Sequence, residues 1–404
     1  MYNSKIKDNL IYKFNSYSNQ TSSNKKILYK ENLNLNEKLN NAKNRINAYY
    51  ENNCALWDKF KKFSNEYEFV YTSSSMNDYK NISNIYPISR SYFKLWEIIY
   101  DFKDILDINK LNICQLKTAH IAEGPGGFIE CIYKYIHDHL NNDINLNNLE
   151  IYGITLFSNS NNIPKWKIKK NMIDRFNINL NKKEDGNGDL YSIDNINKFI
   201  YNVGESSCEF ITADGGFDFS CNYNTQESDF LLFLISEIYI ILKLLKNNGN
   251  CLIKVYDIYS KISIKILYIL TLFFKDVYII KPYTSRPANS EKYILCKNFN
   301  NLNELDDNII SYIEMFKKII INKDLNILHD NNIVPPYDLV EDILNYNKWY
   351  TERQINYINK TIDLIEYFNN NPNENEKDYL KKLYNHNKKY CLNWCLNYNI
   401  FCKK

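Results

Sequence analysis

Residues 118–130 read TAHIAEGPGGFIE, and the fold is decided by how that stretch changes character. A short apolar run, His120-Ile121-Ala122, stops at Glu123, and Gly124, Pro125, Gly126 and Gly127 follow. Apolar residues then recur at helical spacing: Phe128, Ile129, Ile132, Tyr133 and Ile136. This pattern predicts a strand, a tight turn and a helix. The glycines permit φ > 0 and let a ligand come close to the backbone, and the helix start beyond them offers unpaired N–H groups. Taken alone, such a stretch fits a plain turn as well as a nucleotide site.

Working outward, strand-like and helix-like runs alternate. Upstream, Pro87 precedes an amphipathic helix over 88–102, with Tyr92, Leu95, Trp96, Ile99 and Tyr100 as its stripe and Arg90, Lys94 and Glu97 mostly off it. Downstream come a strand at 149–156 (LEIYGITL), a basic helical segment at 164–176 (PKWKIKKNMIDRF) and a turn-rich insertion at 182–190 (KKEDGNGDL). Ser192 caps a helix through Val203. The buried strand CEFITA, 208–213, ends at Asp214-Gly215-Gly216, a long helix fills 227–246, and the strand CLIKVY, 251–256, carries Lys254. A helix at 258–274 and strands at 276–281 and 292–297 complete the pattern. Such alternation predicts an α/β fold, a doubly wound, mostly parallel sheet with helices on both faces. The loop 282–290 is too short for a helical crossover, so the last two strands pair antiparallel and the sheet ends in a hairpin.

The flanks are different. Residues 1–35 are polar and are expected to be loosely attached, 36–63 show helical spacing, 67–85 look irregular, and from 302 on the chain reads as a helical appendage interrupted by Val334-Pro335-Pro336. The expected organisation is an N-terminal extension, 1–75, a central domain, 76–300, and a helical C-terminal extension, 301–404.

A net charge of +3 over 404 residues gives no global basic field, so a nucleic-acid partner must be held by local patches. The ten cysteines include no CxxC pair, which fits reduced thiols and an intracellular setting, the cytoplasm being expected in the absence of a targeting signal and the nucleus being the alternative. His386, Cys391, Cys395 and Cys402 match no common zinc spacing and read as one face of a terminal helix. The N-terminal MYNSKIKDNL lacks the apolar core of a signal peptide, and the longest apolar stretch, 262–274, is broken by Lys265 and too short to span a membrane.

Ligands of open α/β sheets bind beyond the carboxyl ends of the strands, where Glu123, Asp214 and Glu291 fall. Lys254 lies inside an apolar strand instead. A buried lysine without partners is costly, so it should face carboxylates or a substrate.

Lys94 in SRSYFKLWEI, Asp214 in TADGGFD, Lys254 in LIKVYD and Glu291 in SRPANSEKYILCK resemble the Lys-Asp-Lys-Glu tetrad of the FtsJ-like ribose 2'-O-methyltransferases. With EGPGGF, GITL and DGNGDL in the same order, the pattern most resembles the cap-specific mRNA 2'-O-methyltransferases of eukaryotes and large DNA viruses, over about 89–299. The resemblance implies a Rossmann-like fold, S-adenosyl-L-methionine as methyl donor and a ribose 2'-hydroxyl of RNA, at the first transcribed nucleotide of capped mRNA, as acceptor. It assigns catalysis to Lys94, Asp214, Lys254 and Glu291. It assigns the cofactor to Glu123, Gly124, Pro125, Gly126, Gly127, Phe128, Asp189, Leu190 and Asp214, and the acceptor nucleotides to Asn224, Thr225, Gln226 and Asn289. Arg90, Arg286 and the lysines of 165–170 are candidate phosphate contacts. The second strand ends in Thr155-Leu156, without the acidic residue that usually holds the cofactor ribose. Lys254 reads equally as a general base or as an orienting cation. Methylation of internal ribosomal or transfer RNA, and a non-catalytic RNA-binding subunit, are the alternatives. Other capping or transcription proteins are conceivable partners; a membrane is not expected.

Overall fold

The computed structural model describes residues 10–14, 25–72, 79–108, 115–139, 146–160, 163–217, 219, 222–329, 333–371, 373 and 375–403. Its strands are β1 (Ile11–Phe14), β2 (Leu116–Ile121), β3 (Leu149–Ile154), β4 (Ile178–Leu180), β5 (Cys208–Ala213), β6 (Leu245–Val255), β7 (Phe274–Ile280) and β8 (Lys292–Phe299). The helices are α1 (Lys25–Phe63), α2 (Ser91–Asp101), α3 (Gly127–Asp138), α4 (Lys170–Arg175), α5 (Ile193–Val203), α6 (Gln226–Leu244), α7 (Lys261–Phe273), α8 (Asp307–Asn322), α9 (Tyr337–Asn370) and α10 (Glu376–Asn397). All eight strands form one sheet in the order β1-β7-β8-β6-β5-β2-β3-β4. The pairs from β6 through β4 are parallel, and those of β6 with β8, β8 with β7 and β7 with β1 are antiparallel.

The alternating apolar runs therefore become a mostly parallel sheet, as expected. The central strands are buried on both faces; β5 is buried at all six positions. Such strands read as unbroken apolar runs because helices cover both sides. One apolar layer packs under α5, α6, α7 and α8, the other under α2, α3 and α10. Ser192 caps α5 by accepting from Asn195 N, and Ser260 caps α7 by accepting from Ser263 N.

Three features differ from the sequence expectation. The β7–β8 hairpin is not the sheet edge, because β1 pairs with β7, Ile11 opposite Ile280 and Phe14 opposite Val277. Part of the polar N-terminal stretch is thus a strand, and α1 begins within it at Lys25; residues 1–9 and 15–24 lie outside the described residues. Only Lys170–Arg175 of the basic segment is helical. Before it, exposed Lys165, Lys167 and Lys169 alternate with partly buried Trp166 and Ile168, the period of extended chain. Finally, the C-terminal helices are built into the molecule. Long α1 lies along α9, with Ser64 Oγ 2.7 Å from Thr361 Oγ1. Asn347 Nδ2 donates to Asn32 Oδ1 at 2.7 Å and to Ile258 O at 2.8 Å, and Asn387 Nδ2 donates to Phe63 O and Asn65 O.

Those flanking helices also hold the loop between β7 and β8. Tyr350 Oη donates to Asn289 O at 2.8 Å, and Gln354 Nε2 donates to Ala288 O at 3.1 Å and Ser290 Oγ at 3.2 Å. Lys43 of α1 and Lys292 of β8 share Asp257, at 2.9 and 3.1 Å, and all three side chains are buried. Buried charges persist only when paired in this way. Among the described residues no helix is long and apolar enough to cross a membrane.

Candidate active site

The carboxyl ends of β2, β5 and β6 converge because these strands are neighbours in parallel register, Ile121 beside Ala213 and Ala213 beside Ile253. Each strand then delivers a charged side chain to one place: Glu123, Asp214 and Lys254. Lys254 Nζ donates to Asp214 O at 3.0 Å and lies 3.4 Å from Asp214 Oδ1, which also accepts from Tyr293 Oη at 2.9 Å. From α2, Lys94 Nζ reaches both carboxylate oxygens of Glu291, at 2.7 and 2.8 Å. Ser285 Oγ donates to Glu291 Oε1 at 2.7 Å. The four tetrad residues are therefore two ion pairs, with the Tyr293 ring between them: its hydroxyl meets Asp214, and Lys94 lies over its face at 5.9 Å. Lys94 and Glu97, off the apolar stripe of α2, both face protein partners. Glu97 is buried and accepts from Tyr283 N, Thr284 N and Trp394 Nε1.

The electrostatics fix charge states. Burial pulls the Lys254 ammonium toward neutrality, but Asp214, Tyr256, Glu291 and Glu237 oppose it and raise the group well above an ordinary lysine. Burial also opposes ionisation of Glu291, yet Lys94, Lys254 and Lys281 hold its carboxyl far below the usual range. Glu123 goes the other way, raised by burial and then by Asp214.

Sequence reading missed Glu237. It is a lone carboxyl inside the apolar run LLFLISEIYIILKLL of α6, fully buried, with neither oxygen hydrogen-bonded. Burial raises its carboxyl well above the usual range, against a downward pull from Lys254 and the Gly215 backbone. Its carboxyl lies against the turn after β5: a Cβ on Gly215 would stand 2.5 Å from Glu237 Oε1, and one on Gly216 would stand 2.8 Å from Lys254 Nζ. The two glycines let the turn pass between an acid and an ammonium.

The FtsJ-like methyltransferase family model matches residues 87–299, more than half of the chain. The chain belongs to the FtsJ-like methyltransferase family. It is 25% identical over 305 residues to cap-specific mRNA (nucleoside-2'-O-)-methyltransferase 1 of Mus musculus, covering 72% of this chain and 35% of that protein. It is 24% identical over 275 residues to cap-specific mRNA (nucleoside-2'-O-)-methyltransferase 2 of Drosophila melanogaster, covering 66% and 36%. An uncharacterized protein of Acanthamoeba polyphaga mimivirus is 25% identical over 347 residues, covering 74% and 42%. The chain thus spans about a third of the length of the first two relatives. Among solved structures, a ribosomal RNA methyltransferase from Plasmodium falciparum aligns with TM-score 0.33 at 17% identity, over 52% of this chain and 97% of that one.

FtsJ-like methyltransferases use S-adenosylmethionine, and the residues present fit it. Glu123 Oε1 accepts from Phe128 N at 2.5 Å, while its buried Oε2 has no partner and calls for a hydroxyl or ammonium donor. Leu156 and Phe217, at the carboxyl ends of β3 and β5, are large apolar side chains left partly exposed, suited to an adenine face. Asp189 accepts from Tyr191 N through Oδ1 and stays partly exposed. Leu190, in contrast, has its side chain in the core, which leaves only its backbone for a ligand. The glycines of the EGPGG turn are crowded by protein: Gly126 faces Ile168, Gly127 faces Ser89 and Ser91, and Gly124 faces Thr155 and Pro164. Gly188 is held at φ +70°, where a Cβ would collide with the Thr155 carbonyl. Gly188→Ala is expected to weaken S-adenosylhomocysteine binding at least tenfold, read by calorimetry, because the turn carrying Asp189 must move. Unchanged affinity would remove that turn from the cofactor site.

The expected RNA contacts divide. Arg90 is internal: Nε and Nη2 donate to Thr284 O, Nη1 donates to Glu68 O and Tyr71 O, and Glu68 Oε2 lies 3.0 Å away. Its donors are engaged by protein, so it braces the site where a phosphate contact was expected. Arg286 shares Glu68 but also borders a cavity of about 220 Å³, as do Gln226 and Asn289. Asn289 Oδ1 accepts from Lys281, and Asn224 Nδ2 donates to Asn44 Oδ1 at 2.7 Å. Asn224 and Thr225 form, with Tyr223, the short turn at the cavity's edge. Trp57 and Lys61 of α1 and Gln354 and Tyr357 of α9 also line it, and the fully buried Gln354 Oε1 has no partner. None of these four was singled out from sequence. The readable signal was polar Asn347, Thr351, Gln354 and Thr361 along one stripe of a long helix.

Proposed function

We propose that this FtsJ-like methyltransferase transfers a methyl group to the ribose 2'-hydroxyl of the first transcribed nucleotide of capped mRNA. One conjunction carries the reading: Glu291 of the paired tetrad directly follows Ser290, which lines the aromatic, cationic cavity. A 7-methylguanosine is a cationic, planar base, which aromatic walls such as Trp57, Tyr223 and Tyr357 favour. Gln354 Oε1 offers an acceptor to a base N–H, and Lys61 and Arg286 offer charge to the phosphates. Relatives named as cap-specific mRNA methyltransferases support the substrate class.

When bound, S-adenosylmethionine supplies an electrophilic methyl group; Glu123, Asp189, Asp214 and the turn 124–128 would hold it. The chain's own task is to orient the hydroxyl. Lys254, kept charged by its carboxylate neighbours, donates to the hydroxyl oxygen and stabilises charge growing on it. Asp214 fixes Lys254, and Glu291 fixes Lys94, whose remaining donors serve the acceptor nucleotide. The hydroxyl proton grows acidic as its oxygen forms the new bond, and it departs to solvent.

Trp57→Ala is expected to weaken a methylated cap dinucleotide at least tenfold while leaving S-adenosylhomocysteine affinity unchanged, both read by calorimetry. Equal cap affinity in variant and wild type would exclude this cavity as the cap site.

A further inference from the structure

Residues 163–169 form a strap across the EGPGG turn. Lys167 N donates to Pro125 O at 3.0 Å, Trp166 Nε1 donates to Asn181 Oδ1 at 3.2 Å, and Ile168 packs on Gly126. Asn181 is itself tied to the end of β3, accepting from Thr155 N at 3.0 Å and donating to Thr155 O at 2.9 Å. With Trp166 and Ile168 turned inward, Lys165, Lys167 and Lys169 turn outward and are exposed, as is Lys170. Among the described residues none of the four forms an ion pair with a carboxylate. Lys169 does draw the Glu130 carboxyl downward against its burial, and Glu130 Oε2 accepts from Ile88 N just before α2. The strap and the start of α2 therefore flank one turn, and Lys94 lies one helical turn into α2.

A charge run on an ordinary surface needs no explanation, but this run is built. A lysine at every second residue of an extended chain repeats at about 6.7 Å, comparable with the phosphate repeat of an extended nucleic-acid strand. Each lysine is presented by a backbone anchored at its inward neighbours. We infer that Lys165, Lys167 and Lys169 form a track for the phosphates of the RNA that continues beyond the nucleotide at Lys94. This rests on the RNA substrate proposed above and adds a length requirement to it. The track is independent of the cap cavity, whose walls come from α1, α9, the β7–β8 loop and the start of α6 with the turn before it.

The test is binding by fluorescence anisotropy, with S-adenosylhomocysteine present, of two capped RNAs of one and about ten nucleotides to wild type and to K165A/K167A/K169A. The expected result is that the triple variant binds the short RNA as wild type does and loses about tenfold or more on the long one. Its log–log salt slope on the long RNA should be shallower by about 2, since three single-strand phosphate contacts are removed. S-adenosylhomocysteine affinity, unchanged, shows that the anchored backbone is intact. A variant that keeps wild-type length and salt dependence overturns the track alone. A wild-type protein that binds neither RNA overturns the RNA reading and the track with it.

Discussion

Lys254→Ala is expected to keep S-adenosylhomocysteine binding within a few-fold of wild type and to lower methyl transfer by about 10³, the range seen when one preorganised donor is removed from a reacting oxygen. The side chain is buried in β6 and its Nζ is committed to Asp214, so its loss removes charge at the acceptor rather than a wall of the core. Lys254→Met, closer in volume, separates the two effects: it should be as inactive while melting nearer the wild type. The pH dependence decides the role. A lysine acting as base must be neutral, and a rate that needs the neutral form climbs tenfold per pH unit up to a pKa here raised above the ordinary value. An orienting cation gives a rate that is flat from about pH 7 to 9, which is the expected profile. Undiminished transfer by either variant would contradict the assignment.

The second large effect concerns stability. Glu68 is fully buried in the 3₁₀ turn Glu68–Val70 before α2, and it pairs with Arg90 at 3.0 Å and Arg286 at 2.8 Å. Burial alone would raise its carboxyl, but Arg90 and then Arg286 bring it down from 4.5 to about 2. A folded-state pKa below the unfolded one gives stability that is present above pH 4.5 and lost as pH falls through about 2. The shift corresponds to about 3 kcal/mol. Glu68→Ala leaves two guanidinium groups without their shared carboxylate, and is expected to cost about 3–5 kcal/mol at pH 7 by urea denaturation. The difference between wild type and variant should shrink markedly by pH 2. A loss below about 1 kcal/mol, or one independent of pH, would show that the pair is not what holds 67–72 and the β7–β8 loop together.

The parallel sheet was legible because strands covered on both faces read as continuous apolar runs, and Lys254 stood out as a charge inside the run CLIKVY. What escaped notice was set by partners distant in sequence. Ile11–Phe14 is too short and too polar in its surroundings to be seen as a strand, yet it closes the sheet edge along β7. Arg90 looked free because its partner, Glu68, lies in a stretch without periodicity. The basic segment read as a helix from its content, whereas Pro164 and the alternation of Trp166 and Ile168 with lysine keep it extended until Lys169. Trp57 and Gln354 sit on long helices whose faces look like ordinary amphipathic packing, and only the folded pairing of α1 with α9 brings them to one cavity.

The most direct test uses purified protein, labelled S-adenosylmethionine and two matched short RNAs, one with an N7-methylated cap and one uncapped, with product nucleosides digested and identified. Label on the first ribose of the capped RNA alone is the predicted result. Label on both RNAs would contradict the cap reading in favour of an internal-RNA enzyme. No label, despite measured cofactor binding, would contradict catalysis by this chain on its own.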